Sequence, residues 1–441
     1  MTVKAKGRSR AALDRTASLA VLGAFFAYRY AVHWRPRRRE LVDRLAEIAA
    51  RELPLQEAVS IRWSASQVPF IEAENDRDLA VALGAVHAHL RLAQIEFMRR
   101  IAYGRLAEVF GPIAFEIDHA LRVLNVGRAV PEIERDLPDE TRAWLSNFAE
   151  GINAYVRQSG ELPYELTLLD VEPEPWTIAD LLWLGRLAST DFTWKVWMRL
   201  RRLRHRADWA ELWQRLTGSS ALPVPGFTGA GGRAATLDWL LGAFDKGGSN
   251  SVAVAPHRSA SGSALIASDP HLSIMLPNLW LIAGLRSPGH HAVGLMIPGV
   301  PVIALGRNPW IAWGGTSLHA ASSELFDVGE LSNGAVAERR ERIRVRWSGE
   351  REVAVRETRY GPIITDATLL AGEPPADPLA LHWIGHTATD EITALLKVNQ
   401  AKSWEEFRGA LEGFAIPAQN MVYADAAGHI GHATAAKLPR R

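Results

Sequence analysis

The 441-residue chain contains no cysteine, so its chemistry rests on hydroxyl, imidazole, carboxylate and amine groups, and thiol nucleophiles, thiolate metal sites and disulfides are excluded. The stretch Lys246-Gly247-Gly248-Ser249-Asn250-Ser251 closes a glycine-rich region and opens a run of β formers. On its own it is a flexible turn ahead of a strand. Ordered motifs follow it: Ser268-Asp269-Pro270-His271-Leu272, Pro298-Gly299-Val300-Pro301, Gly306-Arg307-Asn308 and Ala312-Trp313-Gly314-Gly315-Thr316. His271 falls 22 residues after Ser249, and Thr316 and Ser317 fall 67 and 68 after it. A serine hydroxyl is weakly nucleophilic unless a base takes its proton. The question at Ser249 is therefore which base stands beside it.

Other chemistries find no support. His87 and His89 are two apart in a helical pattern and point in different directions, so they are packed or surface histidines and not a metal pair. Gly229-Ala230-Gly231-Gly232-Arg233-Ala234 nominally fits a dinucleotide fingerprint but has no strand before it and no βαβ unit around it. G-x-S-x-G, the P-loop and H-E-x-x-H are absent. Lys plus Arg number 50 and Asp plus Glu 49, so no global charge argues for a nucleic-acid partner. The basic, Trp-rich stretch 195–217 has helical spacing and reads as a solvated helix face.

The elements that must position these residues divide the chain. Residues 40–217 read as mainly helical, with one short hairpin formed by 59–63 and 68–72. Asp76 can cap a helix running through Ile101, and Gly104 to Gly111 continues it to a glycine stop. Residues 140–158 place Trp144, Phe148, Ile152 and Tyr155 on one helical face, and Thr177 can cap a helix from Ile178. Residues 218–248 turn to Gly, Pro, Ser and Thr and read as a spacer. From 249 to 441 short strands follow one another, among them 251–255, 264–267, 279–285, 292–297, 302–305 and 311–313, with turns at Asp269-Pro270 and Gly314-Gly315. A hairpin over Ser348-Gly349-Glu350, helices at 391–398 and 404–413 and a strand–turn–strand from Met421 to Gly431 complete the pattern. Helices first and an antiparallel sheet system later make an α+β chain.

With Gly248-Ser249-Asn250-Ser251-Val252-Ala253-Val254 at their head, these motifs and their spacing resemble the penicillin acylase family of N-terminal-nucleophile hydrolases. In the first half Val86-His87-Ala88-His89, Arg99-Arg100, Gly104-Arg105-Leu106-Ala107-Glu108 and Glu174-Pro175-Trp176-Thr177 are similar to the family's α chain, so the resemblance covers about residues 55–441. It implies an αββα sandwich and a precursor cut at Gly248–Ser249, with Ser249 freed as nucleophile and new amino terminus. That amine, with an ordinary pKa of about 7.7–8.0, would serve as the base. An internal Ser249 has no such amine, so cleavage is a chemical requirement. The resemblance gives His271 the role of tuning the Ser249 amine or hydroxyl, gives the Ser317 backbone N–H the role of oxyanion donor, and places Leu272 and Leu305 in an acyl pocket that suits an aliphatic group. The implied reaction is hydrolysis of a linear amide, such as a β-lactam side chain or an N-acyl-homoserine lactone, through an acyl-serine. The implied partners are a small-molecule amide and the two fragments of the chain, held as an α/β heterodimer. No cofactor is implied.

The sequence departs from the family's pattern in two places. The family's second oxyanion donor is an asparagine well beyond Tyr423-Ala424-Asp425, in a longer mature chain, whereas this sequence stops at Lys437-Leu438-Pro439-Arg440-Arg441. The sandwich is expected to be incomplete and a C-terminal portion missing. Calcium, which family members often bind, meets a single acid, Glu324, in His319-Ala320-Ala321-Ser322-Ser323-Glu324, so no metal ligands are assigned. Two readings follow: an acylase precursor, or a truncated, catalytically silent relative that remains unprocessed and at most binds. At the amino terminus Lys4, Lys6, Arg8, Arg10 and Arg15 precede an apolar run from Ala17 to Tyr28, which resembles an export signal or anchor shorter than the roughly 20 residues of a bilayer span. Residues 1–39 are thus expected to form a leader that tethers the protein to the inner membrane or sends it to the periplasm, with a cytoplasmic location as the alternative.

Overall fold

In the computed structural model, which describes residues 6–33, 41–190, 203, 206–217, 248–272, 276–318, 320–331, 335–371 and 377–438, the first half yields four principal helices. They are α1 Lys6–His33, α2 Asp76–Tyr103, α3 Asp139–Arg157 and α4 Ile178–Ala188. The spacer up to residue 247, the basic cluster at Arg35 to Arg39 and residues 195–202 of the Trp-rich stretch lie outside the described residues. Asn75, rather than Asp76, caps α2, its side chain accepting from the Asp78 N–H. The helix stops at Gly104 in the left-handed region (φ +62°), so the expected run to Gly111 is broken into a separate short turn, Ala107–Phe110. Thr177 caps α4 as expected and forms a full capping box with Asp180. The backbones of α2 and α3 touch where they cross: a Cβ on Gly84 would overlap the Phe148 carbonyl, and one on Gly151 the Val81 carbonyl.

Helix α1 docks on the remainder of the chain. The Phe25 ring meets Trp347 edge-on at 5.5 Å, the Arg346 guanidinium lies over the same ring, and Arg29 pairs with Asp170 at 3.3 Å. Among the described residues no helix is long and apolar enough to cross a membrane.

The described residues hold fifteen strands, in chain order β1 Ser60–Trp63, β2 Pro69–Glu72, β3 Gly248–Val254, β4 Leu265–His271, β5 Leu281–Arg286, β6 His291–Met296, β7 Leu305–Arg307, β8 Ile311–Ser317, β9 Ser323–Asp327, β10 Ala337–Val345, β11 Gly349–Thr358, β12 Gly361–Pro362, β13 Leu379–Trp383, β14 Gln419–Asp425 and β15 Ile430–Ala435. Eight of them form the central sheet in the order β1-β2-β5-β6-β7-β8-β14-β15. The sheet is antiparallel except that β2 runs parallel to β5, with Ile71 opposite Leu285. The two halves of the chain therefore share one sheet. Two smaller sheets, β9–β13 and β10–β11–β12, flank it. The expected turn at Asp269-Pro270 lies instead inside β4, which pairs only with β3 and so leaves an open edge where proline's missing N–H is tolerated. The strand expected at 302–305 begins only at Leu305.

Helices cover one face of the sheet. Tyr423 of β14 packs against Trp404 and Phe407 of α6 (Trp404–Leu411), which follows α5 (Glu391–Gln400). Trp313 and Met421 point to the same buried face. On the opposite face the β3–β4 hairpin lies against Gly314, where a Cβ would stand 2.8 Å from that of Ser268. The layers are thus helix, sheet, hairpin. The far side of the hairpin leaves Val252 and Leu265 about half exposed, at 53% and 49%.

Candidate active site

Strand pairing brings the residues singled out in the sequence to one place. In the β3–β4 register Gly248 faces His271 and Ser249 faces Pro270. The half-buried Ser249 donates its hydroxyl to the Gly248 carbonyl at 2.6 Å. The Ser249 oxygen and the carbonyl of the peptide expected to break are therefore neighbours. Across the pair, His271 Nε2 lies 3.0 Å from Asp269 Oδ2 and 3.4 Å from Asn250 Nδ2. The carboxylate accepts from Nε2–H, and Nδ1 lies 3.4 Å from where a Gly248 Cβ would stand. The imidazole thus lies beside Gly248, while the Ser249 hydroxyl bonds to its own preceding carbonyl.

Ser249 opens onto a cavity of about 140 Å³ whose wall includes Pro270, Leu272, Leu305, Gly315, Ser317 and Met421. That is close to the ~150 Å³ which suffices for benzene in an apolar core. Loop 297–304 supplies Ile297, Val300 and Val302, and α5 supplies Ile392 and Leu395, so most of the lining is hydrocarbon. Ser249, Leu272, Leu305 and Ser317 accordingly share one cavity, whereas His271 stands outside it, on the hairpin face opposite the Ser249 side chain.

Ser317 occupies a distinctive position on β8. The Leu318 N–H donates to the Ala418 carbonyl at 2.9 Å, so the Ser317–Gln419 pair is a non-hydrogen-bonded one and the Ser317 N–H turns away from β14. On that other side β7 pairs with β8 only at Ala312 and Trp313. Further along the same edge Gly315 N–H reaches the Ser268 hydroxyl at 3.3 Å. The Ser317 N–H lies beyond both, at the cavity end of the strand.

Two residues that sequence reasoning missed hold the walls. Asn399, at the end of α5, accepts from the Ile303 N–H at 2.9 Å and donates to the Ile303 carbonyl at 2.8 Å, fixing loop 297–304. Arg186 on α4 reaches Thr389 and Glu391 at the start of α5 and gives the cavity a polar end. Burial lowers the Arg186 pKa, and Glu391 and Asp390 oppose that shift. Sequence motifs carry no trace of either contact, because the partners lie far apart in the chain. Among the described residues no three His, Asp or Glu side chains gather where they could share an ion.

The sequence profile of the family described as penicillin amidase matches residues 58–441. The chain belongs to the penicillin amidase family. Among its relatives is the acyl-homoserine lactone acylase QuiP of Pseudomonas aeruginosa, 30% identical over 430 residues that make up 88% of this chain and 50% of the relative. Another is the penicillin acylase 2 proenzyme of Pseudomonas sp. (strain SE83), 31% identical over 415 residues, 85% of this chain and 52% of the relative. The chain thus spans about half the length of the curated relatives it matches. A solved structure, the thermostable penicillin G acylase from Alcaligenes faecalis in its orthorhombic form, matches 43% of this chain and 35% of its own with 25% identity and a TM-score of 0.36.

Proposed function

We propose that the chain is an acylase precursor that cuts itself between Gly248 and Ser249 and then hydrolyses a linear amide through an acyl-Ser249 intermediate. The observation that carries this reading is the Ser249 hydroxyl 2.6 Å from the Gly248 carbonyl oxygen, at the mouth of an apolar cavity. In the first step the Ser249 oxygen adds to the Gly248 carbonyl carbon, the peptide C–N bond breaks in favour of an ester, and water releases the α-chain carboxylate. The freed α-amine is then the base that Ser249 lacked. In turnover it takes the hydroxyl proton as the oxygen attacks the substrate amide and returns it to the leaving amine; water completes the cycle by hydrolysing the acyl-serine. The Ser317 N–H would donate to the oxyanion, a contribution worth on the order of 10²–10³ in rate for one such donor. His271, oriented by Asp269, would tune the Ser249 amine from the Gly248 side.

Leu272 and Leu305 would hold the acyl chain. The substrate classes are those in the relatives' names, an N-acyl-homoserine lactone or a penicillin side-chain amide. The helix–sheet–hairpin order corresponds to three layers of an αββα sandwich. Helix α1 would act as leader or tether for a periplasmic or inner-membrane location, the cytoplasm being the alternative. Incubation of the purified protein with N-acyl-homoserine lactones and β-lactam side-chain amides, followed by detection of released primary amine, tests the reading. Amine release that vanishes in Ser249→Ala is expected. Processed protein that releases no amine from either class would overturn it.

A second reading is a catalytically silent chain that remains unprocessed and at most binds an acyl group in the same apolar cavity. Such a chain would stay uncut at 48.5 kDa while still binding acyl ligands.

A further inference from the structure

Loop 297–304 presents alternate residues to the cavity. Ile297, Val300, Val302 and Ala304 line it, whereas Gly299, Pro301 and Ile303 do not. Those three are the positions held from behind. The Gly299 N–H donates to His87 Nδ1 on α2 at 3.0 Å, and the Pro301 carbonyl accepts from Trp144 Nε1–H on α3 at 2.9 Å. Ile303 is held through both its N–H and its carbonyl by Asn399 of α5. Three helices thus each fix one backbone position, and the residues between those positions form the wall.

His87 is the unusual anchor. Its side chain is fully buried and meets the Phe148 ring edge-on, with centroids 5.0 Å apart. To accept from Gly299, Nδ1 must carry the lone pair, so the ring proton sits on Nε2. That Nε2 is sealed from water and has no hydrogen-bond partner. An apolar side chain of similar size would fill the same space without leaving a polar group unpaired. What the imidazole adds over such a side chain is the acceptor for Gly299. Burial, with the charge of Arg91, holds the ring's pKa down at about 3, so the ring is neutral and its lone pair is free to accept at neutral pH.

We propose that His87 is a positioning residue for the cavity beside Ser249: by accepting the Gly299 N–H it fixes where Val300 and Val302 stand in the wall. The inference rests on the acylase reading only in taking this cavity for the substrate site. Without the acceptor the loop keeps its anchors at Pro301 and Ile303 and loses the one at Gly299, and the Val300 side of the wall becomes free to shift into the cavity.

The test compares two variants of the full chain. His87→Leu is similar in size and has no acceptor. His87→Asn carries Oδ1 on Cγ, as the imidazole carries Nδ1, and can accept the same N–H. Amide hydrogen exchange at Gly299 should quicken at least about tenfold in His87→Leu, the equivalent of one hydrogen bond, and stay within about twofold of the parent in His87→Asn. Benzene, whose size suits a cavity of this volume, should bind the parent and His87→Asn with similar affinity by titration calorimetry, and His87→Leu about tenfold more weakly. In the parent chain the ring nitrogen chemical shifts should show hydrogen on Nε2 and none on Nδ1. If His87→Leu fails to fold, His87→Met carries the same comparison. Exchange and benzene affinity that are equal in the parent and the apolar variant would overturn the inference. So would losses in His87→Asn as large as those in His87→Leu, hydrogen on Nδ1, or a parent chain that binds no benzene. None of these measurements reads amide hydrolysis, so the acylase reading stands or falls separately, on amine release.

Discussion

At the scale of residues, Ser249 stands beside the carbonyl it is proposed to attack, and that attack would create the base it needs. The groups around it are polar but lightly held: His271 and Asp269 are 47% and 75% exposed, so their pair fixes a tautomer more than it adds stability. Strong perturbations lie in the core instead. Burial pushes His87 down to about 3, and His89 and His386 down to about 4. An imidazole whose folded pKa lies below its unfolded value contributes stability that is complete above pH ~6.5 and is lost as pH falls through the folded value. Asp118 acts in the opposite direction. Burial raises it to about 7, so its contribution is complete below pH ~3.8 and lost as pH rises toward 7. Three imidazoles outweigh one carboxyl, and the fold should lose on the order of a few kcal/mol between pH 7 and pH 5. Thermal melts of the Ser249→Ala chain across that range check this. His386→Gln, which keeps a donor for the Leu124 carbonyl 2.9 Å away, should flatten the profile. A melting temperature indifferent to pH from 7 to 5 would contradict the assignment.

At the scale of elements, close backbone approach does the positioning. The crossing of α2 and α3 at Gly84 and Gly151 leaves no room for a methyl group. Gly151→Ala should destabilise the fold by about 1–3 kcal/mol through overpacking, seen as a lower melting temperature. An unchanged melt would mean that the helices do not meet there. Local signals were legible in the sequence: Thr177 announces the start of α4, and most strands after Ser249 can be read from alternation, although Gly314-Gly315, expected as a turn, runs inside β8. Non-local pairing was not. Nothing in Pro69 to Glu72 reveals a parallel partner more than two hundred residues away in β5. Asp269-Pro270 reads as a turn by composition, and only the open edge of β4 explains why it is a strand. Of the cavity lining, Ser249, Leu272, Leu305 and Ser317 are residues that the sequence singles out, the last three only through the family resemblance. Arg186 and Asn399 are not, since each matters only through contacts with residues remote in the chain.

At the scale of the whole molecule, the proposed cut falls between two regions that share one sheet and one core. The β2–β5 pairing, the Arg186 contacts to Thr389 and Glu391 and the buried contact of Trp144 Nε1–H with the Pro301 carbonyl at 2.9 Å all cross it. The two fragments should therefore remain together after cleavage and co-elute on gel filtration under native conditions. Separate elution would mean that these contacts do not hold them. The central claim is tested most directly by the intact mass of the purified wild-type chain, with amino-terminal sequencing of its products. The account predicts two chains, the second beginning at Ser249, and a single uncut chain for Ser249→Ala. A wild-type protein that persists as one 48.5 kDa chain, or a Ser249→Ala protein that is still cut after Gly248, would contradict it.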